Sequence, residues 1–209
     1  MGYGYAIGSV FFVLGSTPLY FDHVDEAVTA VTFFVGSIFF TTAASVQTWT
    51  SRSTLPLFSR DPDRLGWWSA SVQWVGTLEF NVSTFAATIV GLTSAQEKRL
   101  VWSPDMIGSI LFLVSSVIGI WAVRKVASTR RDRGMAALNL WGSIAFGAAA
   151  VAAFVLPTTG DVWNIGIVNA GTALGGICFF VAGIWQARPP GTPAASDPVP
   201  ATTSGVAEV

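Results

Sequence analysis

The sequence predicts an all-α membrane protein, a polytopic bundle of six transmembrane helices, from three observations. Only 23 of the 209 residues are Asp, Glu, Lys or Arg, about half the roughly 25% share of a soluble domain. Mean hydropathy is +0.58. All but one of the charges fall between or beyond long uncharged stretches, and Glu79 alone interrupts one. That distribution excludes a water-soluble enzyme.

Crossing about 30 Å of hydrocarbon at 1.5 Å per residue takes roughly 20 residues. The uncharged stretches place spans at about 3–21, 28–49, 67–90, 105–123, 135–156 and 163–186, in one domain covering 1–187. The first has no Lys or Arg before its apolar run and no small-residue cleavage site after it, so it reads as a membrane helix and not a secretory signal. Asp22, His23, Asp25 and Glu26 precede the second span; acids at a helix start cap free amides and favour the dipole, which explains them without a metal. A charged turn from Arg60 to Arg64 precedes the third, Lys98 and Arg99 precede the fourth, and Arg124, Lys125, Arg130, Arg131 and Arg133 precede the fifth. Residues 188–209, rich in Pro, Ala, Thr and Ser, are expected to form a disordered cytoplasmic tail.

Cytoplasmic loops retain Lys and Arg. Nine of the eleven fall on one side of this topology and two, Lys98 and Arg99, on the other. The expected location is therefore the inner or plasma membrane, multi-pass, with both termini cytoplasmic. Eight tryptophans sit near span ends, where amphipathic rings prefer the interface, and only Trp74 lies deeper. The single Cys178 reads as a small packing residue.

Each span carries a Gly followed by Ser or Thr, at Gly8, Gly36, Gly76, Gly108, Gly142 and Gly171. Four residues on comes Phe in five cases, with Gly175 in the sixth, and seven on comes a small residue each time. Those offsets share one helical face. Lipid is as apolar as Leu, so membrane helices associate through close contact of small residues. The motif is accordingly read as chiefly a helix-packing signal. Motif spacing fits three tandem helical hairpins, with an inverted pair of three-helix halves as the rival.

The helix cores around Gly36, Ser37 and Phe40, and around Gly108, Ser109 and Phe112, resemble those of small bacterial membrane proteins called YrhK-like. The resemblance implies an integral membrane protein and carries over no activity or functional residue. This chain departs from the family in holding several copies of the pattern.

Glu79 is the one residue that stands against the membrane rule. A carboxylate at mid-depth costs roughly 2.5 kcal/mol or more and marks a proton or ion path by default. In the first reading the bundle moves or senses a small ion or solute, with Glu79 as the protonatable centre. The alternative is a structural or interaction subunit of a membrane assembly, with Glu79 a strut bonded to Ser83, Thr41, Thr42 or Asn139. Gln47, Gln73, Asn81, Asn139 and Asn169 also lie in spans, but measured from Glu79 they do not share one face. One His outside the spans and two Lys at span ends leave no haem ligation or retinal linkage, and no phosphate loop or Ser, His and Asp set is present. No enzyme activity, cofactor, metal or nucleic acid is expected. The expected partners are the bilayer and either a second copy or another membrane protein.

Overall fold

The computed structural model describes residues 1–126, 128–156 and 158–188. They fold into helices α1 (Gly2–Gly15), α2 (Pro18–Phe21), α3 (Glu26–Thr50), α4 (Pro62–Ala86), α5 (Ser94–Gln96), α6 (Ser103–Arg124), α7 (Arg130–Ala152) and α8 (Ile165–Ala187), with a π-helical turn, Glu97–Trp102, joining α5 to α6. Each long helix packs on the one before and the one after it in the chain, and α8 packs on α1. The six long helices therefore close a ring.

The fold is all-helical as expected, but the six spans are matched only in part. Four helical segments are long and apolar enough to cross a bilayer: Glu26–Thr50, Ser94–Arg124, Arg130–Ala152 and Ile165–Ala187. The expected first span breaks after Gly15, because Pro18 opens the separate short α2 and cannot continue the preceding hydrogen-bond ladder. Helix α4 reaches 25 residues, but Gln73, Glu79 and Asn81 interrupt its apolar stretch and it is not among these four. The tail expected from 188 onward lies outside the described residues from 189.

The helix starts follow local chemistry. Asp61 accepts from the Asp63 amide at 3.0 Å with Pro62 beside it, and Asn164 accepts from the Ile167 amide at 3.0 Å. Thr129 and Asp132 form a reciprocal capping box. Where α7 begins and α8 ends, Arg131 donates to the backbone carbonyls of Trp185 and Arg188.

Helix-to-helix contact runs through glycine. A Cβ on Gly76 would lie 2.8 Å from the Phe112 ring and 3.1 Å from the Gly108 carbonyl, and one on Gly108 would lie 3.0 Å from the Gly76 carbonyl and 3.3 Å from Phe80. The same exchange, each Phe lying over the partner's glycine, joins Gly8 and Phe12 to Gly36 and Phe40, and Gly142 and Phe146 to Gly175 and Phe179. The sixth partner is thus Gly175, one turn beyond the expected Gly171. Gly171 still packs closely, against Ala145 and Ala149. The hydroxyls next to the glycines face the neighbouring pair instead: Ser37 meets Thr84 at 2.9 Å, and Ser143 meets Ser116 at 2.8 Å.

Candidate functional site

The register shift in α8 completes a set of six. Phe12, Phe40, Phe80, Phe112, Phe146 and Phe179, one from each long helix, are all buried in the core. Phe112 lies at the centre, its ring 4.9 Å from Phe80, 5.5 Å from Phe179 and 6.4 Å from both Phe40 and Phe146. Edge-to-face pairs such as Phe80 with Phe112 and Phe12 with Phe40 set positive ring edges against negative faces. The ring of helices is plugged by aromatic side chains.

A cavity opens on each side of the plug. The larger, about 730 Å³, is lined at its floor by Phe12, Phe40, Phe80, Phe112 and Phe146, in its wall by Asp105, two turns from Phe112, and farther out by Asp25, Glu26 and Glu97. Its described lining holds four carboxylates and no Lys, Arg or His. Asp25 occupies the helix-start position expected of it, yet its side chain makes no cap hydrogen bond; with Glu26 it faces the cavity. Ser83 also lines this space and is 4% exposed.

The second cavity, about 320 Å³, lies at the opposite end of the ring and reaches Phe179. Gln47, Gln73, Asn139 and Gln186 line it together with Tyr5, Ser69, Ser115 and Ser116. Of the five span amides that do not share one face with Glu79, Asn81 and Asn169 do not line this space, while Gln47, Gln73 and Asn139 share it. Their common signal is distance from the plug. Tyr5, Gln47, Gln73, Gly119, Asn139 and Gln186 each stand seven residues, two helical turns, from the Phe of their own helix. Because alternate helices run in opposite directions, all six fall in one layer. Seven residues the other way, on the five long helices other than α1, come Phe33, Ala87, Asp105, Ala153 and Thr172, all of which line the larger cavity, while Leu19, seven beyond Phe12 and past the end of α1, is exposed and does not. Sequence reasoning missed both layers because it measured from Glu79.

The four candidate residues are not gathered into one site. Glu79 is half-buried on the flank between α4 and α6, its Cβ 3.4 Å from where a Gly108 Cβ would stand, and it lines neither cavity. Thr41 sits between α3 and α4, donating to the Thr77 carbonyl at 3.3 Å and bonded by Asn81 Nδ2 at 2.7 Å. Ser83 belongs to the larger cavity and Asn139 to the smaller. Trp74 packs against the core, its Nε1 donating to Ser45 at 3.0 Å. The chain matches no protein-family model, no curated protein and no solved structure.

Proposed function

We propose that the chain is a membrane conduit or carrier for a small polar solute, with the ring axis as the path and the six phenylalanines as the barrier. One observation carries this reading: two cavities, one with carboxylates and one with amides in its lining, enter the same ring from opposite ends and approach each other at Phe112 and Phe179, 5.5 Å apart. A purely structural bundle needs no aligned pair of cavities. In this reading all six long helices cross the bilayer, α1 and α4 being carried by apolar neighbours on both sides. Recurrence of the glycine crossing in three successive pairs favours tandem hairpins over inverted halves.

The positive-inside rule puts the amide cavity on the cytoplasmic side and the acidic mouth outside. Asp25, Glu26 and Glu97 around the opening repel anions and concentrate cations, while an uncharged solute passes freely. The solute is therefore not an anion.

Glu79 stands off this path. Replacing it by Gln is expected to leave both solute flux into proteoliposomes and the melting temperature unchanged, and loss of flux in an equally stable Glu79→Gln protein would move the path to the α4 and α6 flank. The second reading, a subunit of an assembly, draws on the same residue: among the described residues the Glu79 carboxyl makes no hydrogen bond or ion pair, and Leu78 and Val82 beside it are exposed. A partner helix there would supply the missing donor. Crosslinking of a Val82→Cys variant into dimers in native membranes would favour it.

A further inference from the structure

We propose that the smaller cavity is a binding site for a small uncharged solute carrying both hydrogen-bond donors and acceptors, of the simple amide or polyol class. This inference deepens the conduit reading by naming what the path selects. Gln47, Gln73, Asn139 and Gln186 come from four different helices and converge on one cavity. None of their side-chain amides has a hydrogen-bond partner within the described residues. Gln73 is only 8% exposed and Tyr5 only 5%, and the Tyr5 hydroxyl is buried without a partner.

A buried polar group left unpaired costs about 1–3 kcal/mol, as the Tyr5 hydroxyl is here, and the four amides, reachable from the cavity, take their partners from whatever fills it. An amide offers two N–H donors and one carbonyl acceptor. Four of them make a lining balanced between donating and accepting, which a neutral solute of the same character can satisfy. A cation would use only the carbonyls and leave the N–H groups facing it. Among the described residues the one charged group lining this cavity, Asp132, already accepts from the Thr129 amide and hydroxyl at 3.0 and 2.7 Å. It offers a cation little.

The test uses a cysteine placed in the cavity. Gly66 lines it, and a Cβ there meets nothing within 4 Å, so Gly66→Cys in a Cys178→Ala background adds a reporter thiol without a clash. Its rate of modification by methyl methanethiosulfonate is measured in the full-length protein reconstituted in lipid, with acetamide, glycerol, methylammonium chloride or KCl added. Acetamide or glycerol is expected to slow modification several-fold, the salts are not, and Gln73→Leu is expected to abolish the protection. Unchanged rates in acetamide and glycerol, or protection by methylammonium instead, would overturn the proposal. Flux of the same solutes is measured in parallel. Protection without flux keeps the binding site and removes the conduit, whereas flux without protection keeps the conduit and removes the site.

Discussion

Phe112→Ala is expected to raise the flux of acetamide and glycerol through proteoliposomes at least tenfold over wild type, at a modest cost in stability. Phe112 is 1% exposed, forms part of the floor of the larger cavity, and contacts four of the other five plug rings. Removing its ring takes away the aromatic group that separates that cavity from Phe179 at the tip of the smaller one. In a soluble core the change costs about 3–5 kcal/mol, part of it lost transfer from water. In a bilayer the unfolded helices stay in lipid, which is as apolar as the core, so the transfer part falls away. The cavity part remains: at about 24 cal/mol per Å³, a void of order 100 Å³ costs roughly 2 kcal/mol. The variant should therefore fold, and stopped-flow light scattering on vesicles checks the flux. A well-folded Phe112→Ala protein that passes no more solute than empty vesicles would sink the axial path.

Four of the expected spans were legible because bilayer thickness and charge exclusion select long uncharged helices, the break at Pro18 was not, and the packing face was legible because glycine is the residue that admits a partner's carbonyl at about 3 Å. Two further things were hidden. In α8, Gly171 and Thr172 imitate the motif one turn early, and only the partner's Phe146 and Gly142 show that Gly175 and Phe179 occupy the matching place. A pattern of offsets cannot choose between two glycines four residues apart, since both lie on the same face. The two cavity layers were hidden for a different reason. Glu79 is the one charge inside an expected span, the costliest kind of residue there by transfer scales, so the sequence pattern is read from its face. The cheaper amides at Gln47, Gln73, Asn139 and Gln186 become a site only when the plug fixes the origin from which their heights are counted.

That origin depends on the glycine crossings, which sets the second large effect. Gly76→Leu is expected to prevent accumulation of folded protein, whereas Gly147→Ala should leave it intact. A Cβ at Gly76 already stands 2.8 Å from the Phe112 ring and 3.1 Å from the Gly108 carbonyl. The ring could swing aside, but the carbonyl belongs to helix backbone and cannot move without separating α4 from α6, the pair on which the Phe80 and Phe112 exchange depends. Overpacking in a close-packed interior costs about 1–3 kcal/mol where side chains can yield and more where backbone must. Leu adds three further carbons beyond that Cβ, so the loss should exceed about 3 kcal/mol. Gly147 is also in mid-helix, on α7, but nothing lies within 4 Å of its Cβ position. There alanine only removes the backbone freedom that makes glycine a poor helix residue. Size-exclusion profiles and thermal melts of the two variants in the same detergent separate the cases: a monodisperse, wild-type-like Gly76→Leu protein would show that the α4 and α6 contact does not set the height of the plug.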